Sequence, residues 1–445
     1  MFPPQLPTSN KVTQIASDDE EKDLNNGGTS HLHLPNSRKT HMNTATAWHG
    51  LDNGTGAAAC LLVMDENPHL IEWLAYHYQI LPLRHLIIAS DKLSLTSPSD
   101  VLGRWEELIN ITKWTDDDFG YKANARARTD LQHRYRQKTF VAQCLRHFKE
   151  LDEVSWVFIH DVDEYVTFNR AADDDMTKLD EVQKIRQIAN DYLCDNVTAP
   201  AHVRLTYDRK KRYLEKAKRT DLAEFDMKGL EFLELRRQLP PIDDETATIM
   251  GFMEKIREEP HSPFQSKPCH AIPRLVISAK EGPPRELVNA AVPSGHFDLK
   301  NLETLRFYRT AEKGSLDWNR FEKTAIDLSR VSKFELPDKI KNIHSPIKAC
   351  SEPFVDTYYA ESVLKIHHYI GTWEAYSTRA DPRRTKLKYD AYSSIDDGAV
   401  YDTQSWLRAF VSNVGIERAQ ILLEGVGNWS STAEVYKRKY AHGGA

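Results

Sequence analysis

The chain has 445 residues, of which 40% are hydrophobic and 28% charged, with a formal net charge of −6. This length allows two or three domains, or one large domain with insertions. The slightly acidic composition argues against a nucleic-acid-binding protein, which a basic excess would indicate. The 5 cysteines lie far apart and lack zinc-site spacing, so we expect neither a disulfide framework nor a structural zinc site.

The two ends of the chain differ in character from its middle. Residues 1–55 are rich in polar residues and lack apolar periodicity, which predicts a disordered N-terminal arm. We expect a single folded domain over 56–425, with a charged, helical insertion at about 205–262, and a C-terminal tail over 426–445.

The first predicted elements are a strand, a helix and a second strand. The apolar run 57–64 is typical of a strand buried on both faces. Asn67 suits the cap of a helix whose apolar face extends over 70–78. A second apolar run follows at 86–89. This order predicts a right-handed βαβ unit with parallel strands.

The same pattern recurs further along the chain. An apolar helical face over 140–148 precedes an apolar strand at 156–159. A weaker signal allows a short strand at 109–111, and the acidic run 116–118 is expected in a loop because no buried strand is predicted before it. These elements indicate the α/β class.

The strongest candidate for chemistry is the acidic segment 160–165, His-Asp-Val-Asp-Glu-Tyr, directly after the strand 156–159. Ligands of open parallel sheets bind at the carboxyl ends of strands. In an extended segment Asp161 and Asp163 would point to the same side, so both could bind one divalent cation. The alternative is an ordinary solvated turn, which is the commoner meaning of such short motifs.

A second candidate is the strand-like segment 364–369. His368 could add a ligand for a Mn²⁺-like metal, although its alternation with apolar residues also suits a histidine of the core. Downstream, the cluster that includes Arg379 and Arg384 could pair with a diphosphate, or could lie in a solvated loop. The signatures of P-loop, dinucleotide-binding, serine-hydrolase and HExxH metalloprotease sites are absent from the sequence.

Taken together, these segments resemble glycosyltransferase family 92 and the related family 2-like enzymes of the GT-A fold. The stretches that match are Asp65-Glu66-Asn67, Leu70 to His77, Gln137, Cys144, Val162 to Tyr165, His368-Tyr369 and Trp373-Glu374.

The resemblance implies a Rossmann-like, nucleotide-sugar-binding fold, a mixed sheet flanked by helices. It implies that Asp161, Asp163 and His368 hold Mn²⁺ or Mg²⁺ against the diphosphate of a UDP-sugar. Glu66 and Asp91, after the first two strands, match positions that hold the uridine half of the donor.

The activity implied is metal-dependent, inverting transfer of a hexose, with galactose expected, to a glycan or glycoprotein acceptor. Glu374 is the candidate general base because it is an acid close in sequence to His368. Family members act in the Golgi or secretory pathway and are usually anchored by an N-terminal membrane helix. The sequence holds no apolar run long enough to be one.

Two other functions stay open at this point. A catalytically inactive module that binds nucleotide sugars or glycans could keep the same fold. A metal phosphohydrolase could use the same acids, but it would need a second cluster of His and Asp that the sequence does not show.

Overall fold

Two mixed β-sheets flanked by helices organise the chain in its computed structural model. The structure describes residues 56–122, 129–152, 154–170, 238–257, 262–281, 296–310, 322–351, 362–378, 384–396 and 398–441. The arm predicted at 1–55 and most of the insertion predicted at 205–262 lie outside the described residues. Residues 52–445 belong to one compact unit.

The strands and helices are numbered in chain order. The strands are β1 (Ala57–Val63), β2 (Leu83–Ser90), β3 (Asn110–Trp114), β4 (Trp156–Ile159), β5 (Glu164–Phe168), β6 (Cys269–Ile272), β7 (Arg274–Ile277), β8 (Arg309–Thr310), β9 (Lys323–Asp327), β10 (Leu364–Tyr369) and β11 (Gly398–Ala399). The α-helices are α1 (Asn67–Ile80), α2 (Ser99–Gly103), α3 (Thr129–Leu151), α4 (Ile249–Arg257), α5 (Pro263–Ser266), α6 (Glu303–Arg306), α7 (Trp373–Thr378), α8 (Lys386–Ser393), α9 (Trp406–Val414), α10 (Ile416–Leu422) and α11 (Trp429–Ala441). Short 3₁₀ turns lie at Leu299–Asn301, Leu328–Arg330, Lys333–Glu335 and Lys348–Ser351.

The first sheet has the order β3-β2-β1-β4-β9-β6. Strands β3, β2, β1 and β4 run parallel, whereas β9 is antiparallel to both β4 and β6. The predicted parallel pairing of the first two strands is confirmed, with Cys60 opposite Ile87. Because β2 and β4 flank β1 on opposite sides, the strand order reverses at β1. The carboxyl ends of β1 and β4 are therefore the expected ligand-binding edge.

The second sheet has the order β11-β8-β7-β10-β5 and is also mixed. Strand β10 is antiparallel to β5 and parallel to β7. The β10–β5 register sets His368 opposite Glu164. This pairing brings a strand from late in the chain against the acidic segment that follows β4. The predicted α/β class is confirmed, and the predicted strands at 156–159 and 364–369 match β4 and β10.

Helix α1 is buried nearly all round, although its sequence predicted one apolar face. Leu70, Trp73 and Leu74 are fully buried, and burial of each such side chain contributes roughly 1.5–3 kcal/mol. Its polar Glu72 is buried too, and the carboxylate accepts hydrogen bonds from the Glu303 and Thr304 backbone N–H groups at 2.7 and 2.9 Å. The interior polar positions of α1 therefore hold the start of α6 in place.

The predicted cap of α1 is wrong. Glu66 is the N-cap residue, and Asn67 is the first residue of the helix. The Asn67 side chain donates instead to the Ser97 carbonyl at 2.8 Å, so it ties α1 to the loop after β2.

Two disulfides correct the expectation that the chain has no disulfide framework. Cys60 of β1 bonds to Cys144 of α3, and Cys269 of β6 bonds to Cys350, at sequence separations of 84 and 81. Pairs this far apart have no local spacing signature, because only the packing of α3 on β1, and of the 348–351 turn on β6, brings them together. All four are buried in one apolar cluster.

Two segments near the predicted domain boundaries pack on the core. In the described part of the predicted insertion, α4 buries Ile249, Met253 and Ile256 in the cluster that contains Trp156. Helix α11 begins in the predicted C-terminal tail, and its Trp429 is 3% exposed. None of the helices in the described residues is both long and apolar enough to cross a bilayer.

Candidate functional site

Acidic residues predicted from the sequence follow three parallel strands of the first sheet. Glu66 comes after β1, Asp91 directly after β2, and Asp161 and Asp163 just after β4. Parallel strands end at one edge of their sheet, so these residues share the carboxyl edge where the strand order reverses.

The segment after β4 is a turn, so the expectation that Asp161 and Asp163 would project from an extended strand is wrong. The Glu164 N–H donates to the Asp161 carbonyl at 3.1 Å, which closes the turn before β5 begins. The alternation rule applies to extended backbone and does not hold across this turn. As a result, the two aspartates contact different partners.

Asp161 is paired with a buried lysine. The Lys323 ammonium, at the start of β9, lies 2.7 Å from Asp161 Oδ2 and 2.9 Å from Glu164 Oε2. Arg274 also contacts Glu164, at 3.1 Å. Burial by itself would raise the pKa of Glu164, but the charges of Lys323 and Arg274 outweigh it and lower that pKa. A cation of the protein therefore occupies the position beside Asp161.

Asp163 lies instead against the second sheet. Its Oδ2 is 3.7 Å from His368 Nε2 and 3.5 Å from the Arg384 guanidinium. The Tyr369 N–H donates to the Asp163 carbonyl at 2.9 Å, so the β10–β5 pairing fixes this approach. The side chains of Asp163 and His368 keep 12% and 14% of their surface exposed, which leaves both reachable from solvent.

The donor set fits a divalent cation in part. Asp163 and His368 offer a carboxylate oxygen and an imidazole nitrogen, both ordinary ligands for Mn²⁺. Asp161 does not join them, because its carboxylate bonds to Lys323. Across the parts of the chain that the structure describes, no group of three or more His, Cys, Asp or Glu side chains is arranged to hold a metal. Further ligands would have to come from a substrate and from water.

Asp91 belongs to an arginine-centred cluster that the sequence did not reveal. The buried Arg136 of α3 lies 3.5 Å from Asp91 Oδ2 and 2.6 Å from Asp116 Oδ1, and donates to the Ser90 carbonyl at 2.7 Å. Asp116 lies in the turn just beyond β3, and the expectation of a loop that follows no buried strand is confirmed, because no residue of β3 is buried. Strand β3 is half-exposed, and its weak apolar signal concealed this position.

Asp65, the residue before Glu66, stabilises the fold through hydrogen bonds. Asp65 Oδ1 accepts hydrogen bonds from the Leu95 and Thr96 backbone N–H groups at 2.7 and 2.6 Å. Its other oxygen accepts from the Tyr436 hydroxyl at 2.6 Å. Asp65 thus joins the end of β1 to the 95–96 loop and to α11, and Glu66, 4% exposed, lies beside it.

A buried histidine–glutamate pair adjoins this edge and was also missed. His69 Nε2 in the first turn of α1 lies 3.0 Å from Glu303 Oε1. Burial by itself lowers the pKa of His69, but the negative charges of Glu303, Glu66 and Asp163 outweigh it and leave the pKa raised. These charges therefore stabilise the protonated ring more than water does for a free histidine. No short motif joins His69 to Glu303, which is separated from it by most of the chain.

A pair of neutral histidines holds the start of the acidic segment 160–165 in place. His160, immediately after β4, lies with its Nε2 3.1 Å from His77 Nε2, and His77 Nδ1 is 2.8 Å from the Trp73 carbonyl. Burial lowers the pKa of His160 to about 3 and the pKa of His77 well below its usual value. Uncharged rings can share a hydrogen bond here, which fixes the start of the acidic turn.

The two remaining predicted residues are Glu374 and Arg379. Glu374, on α7, lies on the wall of a cavity of ≈ 530 Å³. Arg379 falls outside the described residues. Another member of the predicted arginine cluster, Arg384, lies 3.5 Å from Asp163.

Comparison of the chain with known protein families, with characterised proteins and with solved structures finds no match. Conclusions about function therefore rest on the site and on the resemblance of the motifs.

Proposed function

We propose that the chain is a glycosyltransferase of the GT-A type that transfers a hexose, galactose being expected, from a UDP-sugar to a glycan hydroxyl. The observation that carries the proposal is the set of acids Glu66, Asp91 and Asp163 on one edge of the parallel sheet, where its strand order reverses. Nucleotide ligands of α/β sheets bind outside this edge.

The residues around Asp163 suit the diphosphate of such a donor. Asp163 and His368 would hold Mn²⁺ or Mg²⁺ together with substrate oxygens, and Arg384 lies where its guanidinium can pair with a phosphate. The chemistry that a bound cation supplies at such a site is neutralisation of the charge on the departing UDP. Glu66 and Asp91 would contact the uridine half, at the ends of the neighbouring strands.

The general base stays a prediction. Inverting transfer needs a carboxylate that removes the proton of the acceptor hydroxyl. Glu374 keeps that role in the proposal because it faces a cavity that an acceptor can enter.

One observation favours a second candidate, a module that binds nucleotide sugars without catalysis. Lys323 already supplies a positive charge between Asp161 and Glu164, where the D-x-D pattern predicts a metal. Binding of a diphosphate could then be independent of a divalent cation. Calorimetry separates the two candidates: UDP binding that survives EDTA, with no sugar transfer, supports the module.

The enzyme hypothesis is tested by UDP release from a panel of UDP-hexoses with Mn²⁺ present. We expect Asp163→Asn to lower turnover by about 10²-fold or more, since a charge that stabilises the leaving group is removed. Asp338→Asn is the matched control, because the Asp338 side chain is exposed and its carboxylate pairs with Arg146 of α3, away from the acidic turn. Equal turnover in the Asp163→Asn variant and the wild type would refute the assignment.

The disulfides support a location in the secretory pathway, which the resemblance also implies. Disulfides form and persist in oxidising compartments. The Cys60–Cys144 and Cys269–Cys350 bonds fit that setting.

A further inference from the structure

A cavity of ≈ 530 Å³ lies beside the acidic edge and contains none of its strand-end carboxylates. It is walled by the 296–302 segment, by α7 through Glu374, and by the 420–430 segment that leads from α10 into α11. Its volume is typical of small-molecule sites.

Two segments of the cavity wall, the 425–428 loop and the turn Leu299–Asn301, pack closely on each other. Gly427 has φ +65°, and a Cβ placed there would lie 2.4 Å from the Asn301 carbonyl oxygen. Glycine therefore allows the 425–428 loop to pack directly on the turn Leu299–Asn301. Gln420 closes the rim by donating to His296. The packing of the wall and the hydrogen bonds at the rim thus define the shape of the cavity.

The charge of the lining excludes the diphosphate of a nucleotide sugar. Three of the residues that line the cavity are acidic, Asp298, Glu374 and Glu424, and no lysine or arginine is among the described residues that line it. Repulsion between like charges disfavours an anion there. The basic groups lie instead at the acidic edge, where Lys323 and Arg384 contact the aspartates.

The remaining lining suits a neutral molecule rich in hydroxyl groups. Phe297, which is half-buried, supplies aromatic surface for the C–H face of a sugar ring, and the exposed Glu374 carboxylate and Gln420 amide can bond to hydroxyls. Many ligand sites combine aromatic surface with a small number of polar groups, and these polar groups fix the orientation of the ligand.

The cavity is joined to the acidic edge through one aromatic contact. The Trp429 ring lies 4.5 Å from the His69 ring, edge to face, and His69 in turn contacts Glu303. The charges of Glu66 and Asp163 act on His69. The Trp429–His69 contact therefore places the wall of the cavity next to the strand-end acids.

We propose that this cavity is the acceptor site and that it binds a neutral saccharide, with Glu374 and Gln420 as its polar contacts and Phe297 as its aromatic wall. The assignment of the saccharide as an acceptor rests on the proposed glycosyltransferase function. The binding itself does not, and so it can be tested apart from catalysis.

The test applies the full chain to a printed array of neutral, sialylated and sulfated glycans. We expect binding to neutral glycans and not to their anionic counterparts. The double change Glu374→Gln with Gln420→Ala should weaken binding by about tenfold or more, since hydrogen bonds to a charged group are lost. Both side chains are exposed, so the variant should fold. Glu417→Gln is the matched control, an exposed acid of α10 outside the cavity.

Three results would overturn the inference: no binding to any neutral glycan, preference for anionic glycans, or unchanged binding by the double variant. Displacement of the glycan by saturating UDP would also overturn it, because the cavity would then be the nucleotide site. The proposed function fails in a different way. In that case the wild-type protein binds neutral glycans but neither binds UDP nor releases UDP from UDP-sugars.

Discussion

Replacement of Cys60 and Cys144 by alanine should lower the free energy of unfolding by a large and calculable amount. The bond closes a loop of 84 residues, so its loss restores the conformational entropy of an open chain in the unfolded state. For a loop of this length the chain-entropy relation gives about 4.5 kcal/mol. That is a large part of the 5–15 kcal/mol by which typical domains are stable.

The assay is urea unfolding followed by tryptophan fluorescence, with the midpoint and slope compared between variant and wild type. The matched experiment is Cys269→Ala with Cys350→Ala, which opens a loop of 81 residues and should cost nearly the same. The two loops do not overlap in sequence, so their entropic terms should add. A loss below about 1 kcal/mol in either double variant would refute the reasoning.

Two further predictions concern pH and backbone geometry. Three buried histidines have a pKa that burial lowers to about 3: His160, His270 and His367. Between pH 6.5 and 3 these histidines bind protons in the unfolded chain but not in the native chain, so the free energy of unfolding should fall as the pH falls. At pH 5 the loss should be about 2 kcal/mol per histidine. Urea midpoints that stay unchanged from pH 7 to 5 would contradict this. Gly371→Ala should lower the melting temperature more than Gly120→Ala. Both glycines have positive φ, +71° and +69°, but of the two only Gly371 would bring a Cβ against a carboxylate oxygen, Glu303 Oε1 at 2.4 Å. Equal changes in the melting temperature of the two variants would show that this contact is unimportant.

The strands that carry the site could be predicted because their signals are local. The runs at 57–63 and 156–159 are apolar throughout, as burial on both faces requires, and each ends at a carboxylate-containing turn. The edge position of Glu66 and Asp163 follows from that pattern and from the rule for parallel sheets. The geometry within the turn was predicted wrongly, because a backbone hydrogen bond, and not strand alternation, orients Asp161.

The partners of these residues could not be predicted. Lys323 and Arg274 reach Glu164 from strands whose sequences carry no sign of where they pair. Glu303 follows a 3₁₀ turn and is held beside His69 by backbone hydrogen bonds to the buried Glu72. Such contacts depend on the order in which strands and helices stack, which is a property of the whole chain.

The sequence by itself determined the α/β class, the parallel start of the first sheet, and the acids that end its strands, because side-chain periodicity and apolar runs act over a few residues. The tertiary structure alone decided which charges meet. It set Lys323 beside Asp161, His368 beside Asp163, and the cysteines in pairs. The physical reason is that electrostatic and covalent partners are chosen by distance in space, and the sheet pairing that fixes this distance joins residues far apart in the chain.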